Sequence, residues 1–467
     1  GSITSAPYST GTNNTAIGYE ALYGFTTAER TTAVGYQAGY QATTSRFGVF
    51  LGYRAGYAVT TSDFGPIAIG YNALGAMTDK NGNTAVGYEA AYANDTATNA
   101  TFIGYASARL STGGVNSTII GSQAGMYIVG SDITHIGYQT GYYATGSYNT
   151  FVGAEAGKGG TTSAPYSSGQ YNTAVGYQAL DAFTTGGSNI AIGISALGTL
   201  STASSNIAIG YNAMASATTG GNMYNLAIGN AALQYFTTGA SGNGQNTIIG
   251  HQAGKGSSGN TNGEFNTSLG YYTLNALTSG GGNVAVGRYA GASITTGGSN
   301  VLVGRDAGDA IISTTGDYTI AIGHGALGGA EVGDGNIAIG YQSMQNANSA
   351  GLHRNIAIGY QTMANVGSNG PDDNIAIGYQ ALNDVTTANY NTAVGSYAGS
   401  KITTDGSSTL IGFRAGEYLT ESHNVFVGMD AGRLSYNVDN SVLVGFSAGE
   451  YIGQGNTDAS RVVAVGF

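Results

Sequence analysis

This chain of 467 residues has no cysteine, no tryptophan, only 4 prolines and few charges. Without cysteine, neither a disulfide scaffold nor a zinc-finger-type site can be built, and the redox compartment is left open. Only 8% of the residues are charged while 42% are hydrophobic, a balance too apolar for a disordered chain. The lysines and arginines, 14 in all, are scattered singly within a net charge of -11, which argues against nucleic acid as a partner. No apolar run reaches the roughly 18 residues of a membrane span and no signal peptide opens the chain, so membrane insertion is not expected. Glycine is abundant, 80 residues, but without the Gly-X-Y period and proline content of collagen.

What the chain does have is a phrase, Asn-Thr-Ala-Val/Ile-Gly-Tyr-x-Ala, that returns about every 17 residues in 26 copies, anchored on glycines from Gly18, Gly35 and Gly52 to Gly445 and Gly466. Counting from the anchor as zero, position −1 is Val, Ile or Leu in every copy and −3 is Thr, Val, Ile or Leu. Frequent glycine and paired β-branched residues exclude a helix and indicate a three-residue strand followed by a turn. A repeat of this regularity predicts an all-β parallel β-solenoid with one coil per roughly 17 residues, running as a single continuous solenoid over 1–467. At about 4.8 Å per coil it would be a rod on the order of 120 Å long. The longest inserted loop is expected at 158–171, and its Thr-Ser-Ala-Pro-Tyr-Ser phrase also stands at the N-terminus. The opening Gly1-Ser2 and the stop one residue past an anchor point to a piece of something longer.

Stacked coils place like residues on like. Position −1 then forms an aliphatic ladder, Ile17, Val34, Leu51, Ile69, Val86 and Ile103, which is the expected core. Asparagine at −4, as in Asn14, Asn83 and Asn172, suits a corner and can bond along the stack. Positions −2 and +4 trade volume: Ala16 goes with Leu22 and Ala191 with Leu197, whereas Phe50 goes with Gly56 and Phe426 with Gly432. Such a trade means that both fill one close-packed space. If −1 lines the coil, that space lies outside and calls for a second copy as cover; if the coil is flattened, it lies inside. Both arrangements remain open in the sequence.

The phrases Asn172-Thr-Ala-Val-Gly-Tyr-Gln-Ala-Leu and Asn374-Ile-Ala-Ile-Gly-Tyr-Gln-Ala-Leu-Asn closely resemble the repeats of phage tail-fibre and related bacterial surface-fibre proteins. They also resemble, with a longer coil, the left-handed β-roll heads of trimeric autotransporter adhesins. The resemblance implies a left-handed roll and a parallel homotrimeric fibre, part of a virion tail fibre or an extracellular or cell-surface appendage. Its implied task is host or surface attachment through a glycan or protein receptor, with no cofactor.

Chemistry is sparse. His135, His251, His324, His353 and His423 are too dispersed for a catalytic or metal site, and Asp306, Asp309, Asp317, Asp372 and Asp373 lack the ligand alternation of a calcium loop. No catalysis and no metal site is expected. Tyrosine at +1 recurs in 13 coils, and Tyr19, Tyr36, Tyr53, Tyr71, Tyr88 and Tyr105 run without a break. These rings are candidate glycan or interface contacts, as are Tyr166 and Lys158 in the long loop. Threonine at +8, as in Thr26, Thr43 and Thr60, makes a further ladder, which raises ice binding as a remote alternative beside a glycan-depolymerising tailspike.

Overall fold

The computed structural model describes residues 9–466, apart from 79–81, 161–166, 218–222, 237–243, 258–262, 310, 312–316, 330, 350, 368 and 454–458. The chain divides into two compact units, one built on Gly1–Asn230, the other on Gly244–Phe467 with Ala231–Gly239. Each is a parallel β-solenoid with thirteen three-residue strands, from Thr15–Ile17 to Leu226–Ile228 in the first and from Thr247–Ile249 to Val463–Val465 in the second. The second also carries a short parallel pair, Glu331–Val332 with Asn348–Ser349.

Within each unit like positions stack. Thr32 lies opposite Val49, Ala33 opposite Phe50 and Val34 opposite Leu51. The register survives insertions: Thr150 still pairs with Thr173 across the longest interval, so the added residues are looped out of the coil. Part of that loop, including Tyr166, lies outside the described residues.

The corners explain the glycine content. Gly18 sits at φ 133°, and a Cβ there would stand 2.4 Å from the carbonyl oxygen of Gly35 in the next coil. Both the left-handed dihedral and the contact exclude a side chain. Other corners use ordinary residues in the left-handed region, such as Gln37 at φ 51° and Leu74 at φ 50°. Each costs roughly 1–2 kcal/mol by itself. Inter-coil bonds offset the cost, as where the Gln37 amide donates to the Tyr19 carbonyl at 2.8 Å.

The core contradicts one expectation. The middle residue of the strand, −2, is the buried one: Ala33, Phe50, Ala68, Ala85 and Phe102 are fully enclosed. The ladder expected there, Ile17, Val34, Leu51, Ile69, Val86 and Ile103, points outward, with Ile103 37% exposed and the intervening members half-buried. Neighbouring strand residues face opposite ways, so enclosing −2 turns −1 and −3 outward together. Alanine at +3 (Ala38, Ala55), leucine at +4 (Leu22, Leu74) and apolar residues at +7 (Val59, Met77, Phe183) complete the interior. The coil is therefore flattened, and the −2/+4 trade takes place inside it. A Cβ on Gly56 would lie 2.2 Å from the Phe50 ring, and one on Gly432 2.4 Å from the Phe426 ring.

Buried asparagines stitch the coils. The Asn189 amide donates to Asn172 Oδ1 at 3.0 Å while its own Nδ2 donates to the Ala203 carbonyl at 3.0 Å. The pattern runs through Asn149, Asn172, Asn189, Asn206 and Asn225 in the first unit. In the second it runs from Asn246 through Asn266 and Asn283 to Asn300, and again from Asn336 through Asn355, Asn374 and Asn391, where the hydroxyl of Ser408 then takes over. A buried carboxamide is affordable only with both ends bonded, which stacking in register guarantees.

Candidate binding surfaces

The +1 tyrosines stand where the sequence places them, on the exterior and aligned. Tyr19, Tyr36, Tyr53, Tyr71, Tyr88 and Tyr105 form one stack, with centroids 4.9 to 5.3 Å apart and planes within 16° of parallel. Inner members are 41 to 44% exposed and the end members, Tyr19 and Tyr105, 65% and 55%, because each inner ring is covered on both faces by its neighbours. The ladder thus presents ring edges and a row of hydroxyls, with its faces already occupied. A hydrogen bond to Glu20 raises the Tyr19 phenol above its ordinary value, and burial does the same at Tyr88.

Two features beside this ladder were not singled out from the sequence. Tyr23, Tyr40 and Tyr57 at +5 form a second stack, 5.1 to 5.2 Å apart. Their signal is the same period at a different offset. Side chains at +2 also bond coil to coil, as Gln37 Nε2 does to Glu20 at 2.7 Å. The second unit repeats the pairing: His324, Tyr341, Tyr360 and Tyr379 stack in order while Gln342, Gln361 and Gln380 link their carboxamides.

The second surface is the outward side of the strands. Every copy presents two uncharged Thr, Val, Ile or Leu residues there, at −3 and −1. Ile136, Ile192, Ile322, Ile375, Ile377, Ile411, Val425 and Val442 are each more than a third exposed. The result is two parallel rows of β-branched or aliphatic side chains on each unit.

The remaining candidates are engaged elsewhere. Lys158 lies 3.8 Å from Glu155 and acts on Asp181, whose carboxyl is raised chiefly by burial. Thr26 and Thr43 donate their hydroxyls to carbonyls of the following coil, both at 3.0 Å. Asp372 accepts from the His353 amide at 2.7 Å, and Asp317 from the Gly298 amide at 2.6 Å. Asp373 takes both arms of Arg354, at 2.7 and 2.9 Å, and that bonding holds its carboxyl below the usual range.

The histidines do not converge. His135 occupies a −2 core position, stacked on Phe151 at 4.8 Å, and burial lowers its pKa to about 3. Among the described residues no three of His, Asp and Glu form a group able to hold a metal ion, and no helix is long and apolar enough to cross a membrane. Comparisons with family models, curated proteins and solved structures return no match to this chain.

Proposed function

We propose that this chain is a structural and adhesive fibre segment, of a phage tail fibre or related surface appendage, that positions a surface for attachment to a host and works as a parallel homotrimer. The observation that carries the reading is the outward rank at −3 and −1. Thirteen strands per unit each add two outward side chains, with Val, Ile or Leu at every −1 position and at most of the −3 positions of the second unit. Apolar rows of that extent on a soluble protein call for cover. In a parallel homotrimer like coils meet, so the rows of one copy face the same rows of another. The repeat phrases that resemble tail-fibre proteins support the same reading.

Sedimentation equilibrium of the chain tests it: three chains per particle are expected, and a stable monomer would remove the proposal. Ile339→Asp with Ile358→Asp, adjacent outward positions, should dissociate the particle while the far-UV spectrum keeps its β signature. A bacterial trimeric adhesin head predicts the same trimer and differs in the surface that it grips, which attachment assays on bacterial and animal cells separate.

Ice binding is favoured by one observation. Six consecutive strands, from Thr84–Val86 to Thr173–Val175, set threonine and Val or Ile in two outward rows. A thermal-hysteresis measurement decides it, freezing-point depression no greater than that of an inert protein being the negative result.

A further inference from the structure

In the second unit, three successive coils break the tyrosine pattern. After Gly270, Gly287 and Gly304 the +1 residues are Tyr271, Arg288 and Arg305, and the +2 residues are Tyr272, Tyr289 and Asp306. The rings no longer stack face to face. Tyr271 meets Tyr289 edge-on, at 87° and 5.6 Å, and Tyr272 lies 52° from Tyr289 at 5.5 Å. Tyr272 and Tyr289, both half-buried, thus stand at an angle to each other and form a corner in place of a flat stack. Beside them the middle coil carries only Ala292 and Ser293, while Asn275 and Asp309 stand one coil to either side. With Tyr272, Arg288, Tyr289 and Asp306, these four residues line an open cleft of about 600 Å³, a volume typical of small-ligand sites.

The polar groups define the ligand. Arg288 can only donate, the carboxylates of Asp306 and Asp309 can only accept, and Asn275 and Ser293 can do both. Asp306 is held by Arg305 at 3.0 Å, whereas Arg288 forms no ion pair among the described residues and lies over the Tyr289 ring, 5.0 Å from its centre. Asn275 is fixed in place by donating to the Gln252 carbonyl at 2.9 Å. A small anion entering the cleft would face two carboxylates, and a cation would face Arg288. A neutral polyol satisfies both signs, because each hydroxyl can donate to a carboxylate and accept from the guanidinium or the amide. The aromatic wall suits the apolar C–H side of a pyranose ring.

We infer that this cleft binds a residue of a neutral hexopyranose chain. The site deepens the adhesive reading and rests on it, since it gives the fibre a glycan to grip. The open cleft admits an internal sugar of a long chain as readily as a terminal one.

The test is binding of the full chain to an array of immobilised neutral, amino-sugar and uronate-containing oligosaccharides, followed by calorimetry with the neutral oligosaccharide captured best. Tyr289→Ala and Asp309→Asn should each weaken that binding tenfold or more, while Tyr53→Ala in the regular ladder changes it less than twofold. Alanine already occupies the equivalent left-handed corner at Ala106, φ 52°, so Tyr289→Ala is compatible with the fold, and an unchanged melting curve verifies this. Failure to bind any neutral glycan, binding confined to uronates, or affinity indifferent to Tyr289→Ala would each overturn the assignment. A trimer that binds no glycan removes this site and leaves the fibre standing; a monomer that binds one through Tyr289 does the reverse.

Discussion

The two units have one interior and two exteriors. Both enclose −2, +3, +4 and +7, and both stitch their coils with buried asparagine. Outside they diverge. Threonine holds the outward −3 position in eight of the thirteen strands of the first unit but in four of thirteen of the second, where Ile and Val prevail. The first unit keeps an unbroken six-ring tyrosine ladder, whereas the second interrupts its own with Arg288 and Arg305 and carries most of the ion pairs. The coil thus closes in the same way in both units while +1 and +2 vary without disturbing it. That freedom is why recognition is sought on those positions.

If the interiors are equivalent, overpacking either should be equally damaging. Gly56→Leu in the first unit and Gly432→Leu in the second each drive a side chain into a phenylalanine and into a left-handed corner, and should cost about 3 kcal/mol or more. Phe50→Ala or Phe426→Ala in the same chain should return much of the loss by restoring the Ala/Leu pairing seen at Ala191 and Leu197. Thermal or denaturant unfolding reads both, and rescue in one unit only would break the equivalence.

Next in size is the asparagine ladder. Asn189→Ala strips the Ala203 carbonyl and the Asn206 amide of their partner, Asn374→Ala does the same to the Ala388 carbonyl and the Asn391 amide, all on the following coil, and each should cost about 2 kcal/mol. Hydrogen exchange should show faster opening confined to the adjacent coils. Equal protection before and after the substitution would mean that the ladder contributes little.

His135 should mark the first unit by its pH response. In the unfolded chain the ring protonates near pH 6.5, and in the folded core only near 3. Above 6.5 both states are neutral and the contribution is constant. Below it the unfolded state binds the extra proton, so stability falls by up to about 1.4 kcal/mol per pH unit as pH drops toward 3. His135→Phe, which matches Phe151 in the next coil, should flatten this dependence between pH 6.5 and 4. A profile unchanged by the substitution would place the acid sensitivity elsewhere.

The smallest effect is expected on the ladder surface. Tyr53→Ala removes two stacking contacts at 5.0 and 5.1 Å and should cost about 1 kcal/mol, together with part of the near-ultraviolet circular dichroism of the coupled rings. Tyr289→Ala, whose ring meets its neighbours at steep angles, should leave that signal nearly intact.

Much of this was legible in the sequence because a stacked fold repeats its constraints. The period of about 17 residues predicted the parallel register, the −4 asparagine predicted the corner ladder, and +1 predicted the aligned tyrosines. The inside and outside of the strand were not legible. Invariant Val, Ile and Leu at −1 read as core, whereas the −2/+4 trade reads as a close-packed space that the sequence places on neither side of the coil wall. That trade belongs to a narrow interior in which +4 compensates most of the large changes, as Gly56 does for Phe50. The tilted rings around Ala292 and Ser293 were equally hidden, since the cleft is made by three coils together and has no signature in any one repeat.

The repeat by itself determined that the chain stacks short parallel strands, because frequent glycine and paired β-branched residues disfavour a helix and the same positions recur once per coil. Only the tertiary structure decided which side of those strands is enclosed. A three-residue strand with apolar residues on both faces can be packed either way round, and the choice is made by how the opposite wall of the coil folds over it.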